Sequence, residues 1–426
     1  MATDSRSTAE QRAIGTVTVA SSLLEGIEKR GVLWALAAGL LARVLMITIQ
    51  FHWTSVPNSS DDQTYVRFAH TVLETGGLPT HHFPVGYPLF VAPFLLLGDA
   101  AFPAIRLVHV LLGLLTVLVV SRIAGLLYGP RAALLAAWFT ALYPPLVFMT
   151  GRIMSETLFA TLLMLSMWHF LLSDRDESTS HAIWAGVFLA LGSLARSNLV
   201  PMLPLIPLWI LAKRGASLRQ RFVRAVACMG VTVSLLMLPG LYFLATTSQF
   251  IPFATNAGQT FYGANNPLAD GGWIEVNDHP ELLSSIPPEV RASPAAFSKA
   301  QQHLGVVWIK EHPGDFLALL PKKFGNAWVP GFQTSETTSR SRVAALLLPV
   351  CLGLLLLGAI AGRALFKPAA RDGILLCVLA TYTVMSLAFY GNPRIGLFCA
   401  PVLIVYAAAS AAWLLERYGS HESRVS

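Results

Sequence analysis

Apolar and polar stretches alternate along the chain in blocks of a telling length. A helix needs about twenty mostly apolar residues to cross a hydrocarbon core. Runs near that length cover Val32 to Phe51, Ala101 to Leu127, Ala132 to Thr150, Glu156 to Leu172, Ala182 to Ala195, Leu199 to Ala212, Val223 to Ala245, Val343 to Ala361, Gly373 to Tyr390 and Ile395 to Leu415. The pattern predicts an all-α polytopic membrane protein with about ten transmembrane helices. A further apolar run, Gly86 to Leu97, reads as an element that re-enters without crossing. Polar tails cover residues 1–30 and 416–426, and the membrane domain covers 31–415, interrupted by two long polar loops, 52–88 and 246–342.

Composition agrees with a bilayer as the solvent. Hydrophobic residues make up 54% of the 426 residues, charged residues only 12%, and the mean hydropathy is +0.58, beyond what a soluble core requires. The net charge of +7 comes from clusters in short connectors: Lys29 and Arg30; Arg122 and Arg131; Lys213, Arg214, Arg219, Arg221 and Arg224; Arg363, Lys367 and Arg371. With ten spans all four fall on one side, which the positive-inside tendency makes the cytoplasm, together with both termini. The two long polar loops then share the outer face. The basic residues are not interleaved with stacking aromatics, so nucleic acid is not an expected partner. No small-residue cleavage site follows the first apolar run, which is expected to remain as an anchor. Cys228, Cys351, Cys377 and Cys399 all lie in apolar segments, with neither metal spacing nor a redox pair. No fixed-period repeat is visible.

Candidate chemistry concentrates in the outer loops. Ser60-Asp61-Asp62-Gln63 has the form of a capping box, and Tyr65, Phe68, Ala69, Val72 and Leu73 recur at helical spacing until Gly76-Gly77. Such a helix would lie flat at the membrane surface, with Asp61 and Tyr65 on one face. Asp61 is either a general base or, with Asp62, an acid complementing the helix dipole. The loop continues as GGLPTHHFPVGYP, with His81 and His82 between X-Pro turns and Tyr87-Pro88 at its end.

The stretch SSDDQTYVRFAHTVLETGGLPTHHFPVGYPLF resembles the first outer loop of GT-C glycosyltransferases of the protein O-mannosyltransferase and lipid A aminoarabinose-transferase type. The resemblance implies a GT-C bundle with extracytoplasmic juxtamembrane helices. It puts Asp61 in the place of the catalytic base, Asp62 in that of its acidic neighbour, Tyr65 in that of the motif tyrosine, and Tyr87-Pro88 at the loop's end. Glu156, in Met154-Ser155-Glu156-Thr157-Leu158, resembles the signature acid at a helix entering the membrane from outside, a sugar or acceptor contact; it reads equally as a helix-start acid. Arg196 resembles the arginine of the equivalent loop, and Arg394, in Tyr390-Gly391-Asn392-Pro393-Arg394 and followed by Pro401, the closing arginine. The second juxtamembrane helix is matched where Phe316, Leu320, Phe324 and Trp328 recur beside Lys322 and Lys323. Asn256 and Asn265, within Thr255-Asn256-Ala257-Gly258-Gln259 and Gly263-Ala264-Asn265-Asn266-Pro267, resemble donor-site asparagines, and equally form Asx turns. Arg43 reads as a structural ion-pair partner inside the first span, whereas Arg106 and Arg152 near the outer face stay open between structure and ligand.

These readings give an inverting transfer from a polyprenyl-phosphate sugar donor to an acceptor hydroxyl on a lipid, glycan or protein. Asp61 acts as base. Arg394, with Arg196, Lys322 and Arg152, meets the departing phosphate. Glu156, Tyr65, His81, His82, Tyr87, Asn256 and Asn265 contact sugar or acceptor. The expected setting is a bacterial inner membrane with the site outside the cytoplasm. A divalent cation between Asp61, Asp62 and a histidine is compatible with these residues and not required by the resemblance. A flippase of lipid-linked saccharide, or a non-catalytic envelope scaffold, would use the same architecture. A flippase should break helices and carry ionisable residues at mid-membrane depth, whereas the candidates here cluster at outer ends.

Overall fold

The structure, a computed structural model, describes residues 30–57, 60–78, 82–213, 215–328, 358–360, 372–392 and 395–425. Among these all regular structure is helical. The expected span Val343 to Ala361 and the residues Lys29, His81, Arg214, Arg363, Lys367, Arg371 and Arg394 lie outside the described residues, apart from residues 358–360 of that span.

The first apolar run forms α1, Arg30–Phe51, whose last residues wind as a π-turn. Helix α2, Ser60–Thr75, starts at the expected serine and stops where Gly76 takes φ +67, a left-handed conformation that glycine adopts without a Cβ clash. The Gln63 amide donates to the Pro57 carbonyl at 3.4 Å. Of the expected apolar stripe, Tyr65 and Ala69 are buried and Leu73 is exposed. The stripe packs on α3, Gly86–Leu95, the short apolar element after the first loop; Tyr65 meets Tyr87 edge to face with centroids 4.8 Å apart.

Helix α4, Ala101–Tyr128, follows, and the next predicted span divides into α5, Pro130–Leu142, and α6, Pro144–Met149. The continuous helix expected over Ala132 to Thr150 breaks because Tyr143 precedes a proline: Pro144 disfavours helical ψ there, and Tyr143 sits at ψ 111°. Helices α7, Ser155–Arg175, and α8, Thr179–Ala195, form an antiparallel hairpin. The run from Leu199 is also not one helix: a tight turn at Ser197–Met202 precedes α9, Leu205–Ala212, since Pro201 and Pro204 cannot donate in an α ladder. Helix α10, Leu218–Thr247, starts with a capping box in which the Gln220 amide N–H donates to Ser217 Oγ at 3.3 Å.

The second polar loop folds into a small helical layer: α11, Asn256–Ala264; α12, Pro280–Leu283; α13, Pro288–Arg291; α14, Pro294–Glu311; and α15, Pro313–Trp328. It has its own core of Tyr262, Val276, Leu282, Leu283 and Ile286. Helices α16, Gly373–Ala388, and α17, Ala400–Val425, complete the bundle. Its main core lies between α4, α5, α7, α8, α9, α16 and α17. Cys228, Cys377 and Cys399 are free thiols within the helices.

Among the described residues, five helices are long and apolar enough to cross a membrane by length and composition: Arg30–Phe51, Gly98–Tyr128, Ser155–Arg175, Leu218–Thr247 and Gly396–Arg417. Gly86–Leu95, Thr179–Ala195, Gly373–Ala388 and the broken Ser197–Ala212 are shorter apolar helical segments. The two ends of the bundle differ in charge. The C-terminal end of α7 carries the Lys213–Asp174 ion pair at 3.2 Å and receives Arg224 on the Ser173 carbonyl at 2.8 Å. Ser155 starts α7 roughly 30 Å away at 1.5 Å per residue, and the acidic candidates gather there.

Candidate active site

At that end the first turn of α2 meets the start of α7. Asp62 is buried, and both of its oxygens accept from Arg152: Nε to Oδ2 at 3.0 Å and Nη2 to Oδ1 at 3.0 Å. A planar guanidinium matching a planar carboxylate fixes orientation as well as distance. Arg152, expected on a donor phosphate, is thus engaged with Asp62. A cation bound by Asp62 would have to displace it. Among the described residues no three His, Cys, Asp or Glu side chains gather to hold a metal ion.

One turn along α2, the Tyr65 hydroxyl lies 3.2 Å from Ser155 Oγ, which also accepts from Arg196 Nη1 at 3.2 Å. The same Nη1 is 2.9 Å from Glu156 Oε1. Tyr65, Ser155, Arg196 and Glu156 therefore form one connected polar chain at the junction of α2, α7 and the end of α8. Burial raises the Tyr65 phenol above its ordinary range; Arg196 opposes the shift, and Glu156 and Asp61 add to it. Asp61 is half-buried and close enough to Tyr65 for its charge to be felt.

Behind this chain Tyr87 is fully buried, its hydroxyl 3.3 Å from His109 Nε2. Arg106 braces the neighbouring backbone: Nε donates to Gly151 O at 3.1 Å, Nη2 to Ser55 O at 2.8 Å, and Nη1 to Trp53 O. Its open assignment resolves to a brace joining the end of α1 to the turn before α7. His82 is exposed, with its ring against Phe83, and its carbonyl accepts from the Asn256 N–H at 3.2 Å, joining the two long polar loops.

Asn265 is fully buried; its Nδ2 donates to Phe261 O at 2.9 Å and Ala388 O at 3.0 Å, and its Oδ1 accepts from Lys323 Nζ at 2.6 Å. It ties the helical layer of the second polar loop to α16 and is not among the residues gathered around Glu156. The expected Asx turns are present nearby, at Asn266 with Leu268 N and at Asp270 with Gly272 N, both at 2.8 Å. Lys322 is exposed, whereas Lys323 is fully buried, 5.2 Å above the Phe316 ring centroid, and burial holds its amine down at about 8. Helical spacing pointed to a face of Phe316, Leu320, Phe324 and Trp328, whereas the side of α15 that packs inward carries Leu319, Lys323 and Ala327, and Phe324 is exposed. His109 went unremarked because it stands in an apolar run and in no motif, and Thr157 because attention in its motif falls on the neighbouring Glu156.

The bundle with its acidic and basic groups at one end has the GT-C fold of membrane glycosyltransferases, as the motifs predict. The apo oligosaccharyltransferase of Archaeoglobus fulgidus matches with a TM-score of 0.56 at 17% identity, over 92% of this chain and 52% of that one. AglB, the oligosaccharyltransferase of the same organism solved with an inhibitory peptide and a dolichol-phosphate, matches with a TM-score of 0.55 at 14% identity, over 92% and 51%. The chain spans about half the length of these proteins. ArnT from Cupriavidus metallidurans bound to undecaprenyl phosphate aligns over 89% of this chain and 77% of that one at 17% identity, with a TM-score of 0.39 that is too low to define a shared fold. In sequence, residues 82–243 match the dolichyl-phosphate-mannose-protein mannosyltransferase family. No curated protein matches the chain.

Proposed function

We propose that the chain is a membrane glycosyltransferase that moves a sugar from a polyprenyl-phosphate carrier to an acceptor hydroxyl, with inversion at the anomeric carbon. The observation that carries this reading is the docking of α2. The Asp62–Arg152 pair holds its first turn against the start of α7, so Asp61 stands beside the Tyr65–Ser155–Arg196–Glu156 chain. A family match to dolichyl-phosphate-mannose-dependent transferases over residues 82–243 supports a lipid-phosphate donor.

In this mechanism Asp61 takes the proton from the acceptor hydroxyl as its oxygen attacks the anomeric carbon, while the bond from that carbon to the carrier phosphate breaks. The departing phosphate gains negative charge, which positioned cations stabilise more in the transition state than before it. Arg196, ion-paired with Glu156 at 2.9 Å, supplies one such cation, with Arg394 and Lys322 completing the set. Glu156 orients a sugar hydroxyl. The basic far end of the bundle faces the cytoplasm of a bacterial inner membrane by the positive-inside tendency, which puts the site on the outer face and both termini inside.

The test is transfer from a panel of radiolabelled polyprenyl-phosphate sugars into membrane acceptors by wild type and by Asp61→Asn at equal expression. A positioned general base contributes about 10²- to 10⁴-fold, and Asp61→Asn is expected to lose transfer on that scale with unchanged melting. Equal transfer by the two proteins would remove Asp61 from the mechanism, and no transfer from any carrier would favour a flippase.

A further inference from the structure

A cavity borders Glu156 inside the bundle, between α1, α4, α7 and the turn before α17, with Arg43, Gly113, Thr116, Glu156, Thr157 and Leu397 in its wall. Its free volume is about 10 Å³, close to what one water-sized group needs. Arg43 is 1% exposed although it lies in a membrane span. Its Nη1 donates to Gly39 O at 3.0 Å and Ala141 O at 2.9 Å, but its Nε is buried with no acceptor. The guanidinium reaches this position because Gly113 has no side chain; a Cβ there would lie 2.6 Å from Nε. Thr157 Oγ1 is likewise buried and without a partner, while Thr116 Oγ1 is taken by Leu112 O at 3.0 Å and Thr161 Oγ1 at 2.8 Å.

Burying an arginine and leaving an N–H and a hydroxyl unmatched is costly in an apolar surround. The wall presents a donor-only guanidinium, an acceptor carboxylate and a hydroxyl that can do either. The complementary ligand must accept from Arg43, donate to Glu156 and occupy a volume near that of one water. A hydroxyl meets all three conditions. An ammonium would face Arg43, a methyl would leave Arg43 and Thr157 unmatched, and a carboxylate or phosphate would face Glu156.

We propose that this cavity is a subsite for one hydroxyl-bearing arm of the transferred sugar, the hydroxymethyl group of a hexose. The preferred donor is then a hexosyl carrier over a pentosyl or 6-deoxy carrier. An exocyclic arm fits because the cavity is too small for a ring. The inference rests on the glycosyltransferase reading above and adds the sugar class to it.

The experiment uses the full chain in lipid nanodiscs with matched polyprenyl-phosphate hexosyl and pentosyl donors that differ only in the hydroxymethyl group, and reads the ratio of hexosyl to pentosyl transfer. Wild type is expected to favour the hexosyl carrier. Thr157→Val keeps the shape and breaks no existing hydrogen bond, so its melting should match wild type, and its ratio should fall roughly 3- to 10-fold, the worth of one neutral hydrogen bond. Thr157→Ser, which keeps the hydroxyl, should restore the ratio. Equal or preferred pentosyl transfer by wild type, or a ratio that Thr157→Val leaves unmoved as a structural water would, overturns the subsite while glycosyl transfer stands. Absence of transfer from either donor instead overturns the parent reading, and the subsite with it.

Discussion

Removing Arg152 should do more harm than removing both members of its ion pair. In the wild type Asp62 Oδ1 and Oδ2 each accept from Arg152 at 3.0 Å, with side chains 21% and 5% exposed for Arg152 and Asp62. Arg152→Met leaves the carboxylate nearly buried and unmatched by its guanidinium. Breaking a buried pair from one side costs about 3–5 kcal/mol. Because Arg152 retains some solvent, the lower end applies, about 3 kcal/mol. Asp62→Leu with Arg152→Met removes both charges and should recover most of that loss, as apolar replacements of buried pairs often do. The double-mutant cycle then yields a coupling of about 2–3 kcal/mol. Denaturation of the four proteins in nanodiscs measures it, and transfer assays run in parallel. Arg152→Met should also lower kcat, because the first turn of α2 and Asp61 lose their anchor, whereas the anchor's loss should leave donor KM little changed. A coupling under about 0.5 kcal/mol, the scatter of independent sites, would refute the claim that this pair docks α2.

Two further outcomes follow from the same geometry. Tyr65→Phe removes the hydroxyl 3.2 Å from Ser155 Oγ; it should cost about 1 kcal/mol in stability and reduce kcat by loosening Arg196, which a steady-state comparison with unaltered kcat would contradict. Lys323 binds its proton less readily folded, at about 8, than unfolded, so the unfolded chain holds more protons between the two pKa values. Wild-type stability should therefore rise relative to Lys323→Met as pH is raised from about 8 to about 10, with the full cost of the buried ammonium present below that window. Melting curves across that range check the sign, and a difference independent of pH would show that Lys323 carries no such penalty.

Much of the bundle was legible because burial in lipid imposes runs of fixed length. The stop of α2 was readable because it is local, at Gly76, and the start of α10 is regular because Ser217 and Gln220 cap it; at the start of α2 the Gln63 amide donates to the Pro57 carbonyl instead of closing the expected box. The breaks at Tyr143 and between Met202 and Leu205 were hidden because hydropathy is blind to the backbone, although Pro144, Pro201 and Pro204 carried the signal. The placement of the candidates was partly visible: the structure brings Tyr65, Glu156 and Arg196 together through Ser155, with Asp61 and Asp62 in the first turn of the same α2. Which cation answers which acid was not visible, because Arg152 reaches back 90 residues to Asp62 and no local pattern encodes that pairing. Asn265 and Lys323 were harder still, since Asn265 bridges 123 residues to the end of α16 and adjacent lysines on a helix differ only in the direction they face.

The separation of the paired residues along the chain bears on how the protein is made. Asp62 leaves the ribosome 90 residues before Arg152, a delay of roughly 5–20 s at ordinary synthesis rates. Ser155 precedes Arg196 by 41 residues. For that interval α2 carries acids without their final partner, and a carboxylate is unwelcome in hydrocarbon. The first long polar loop must therefore wait in water or among headgroups while the helices that follow it are inserted, and close onto them only when Arg152 emerges. Assembly of the acidic site is thus the last act of the first half of the chain, and helix α2 is a latch that locks once the hairpin of α7 and α8 is in the membrane.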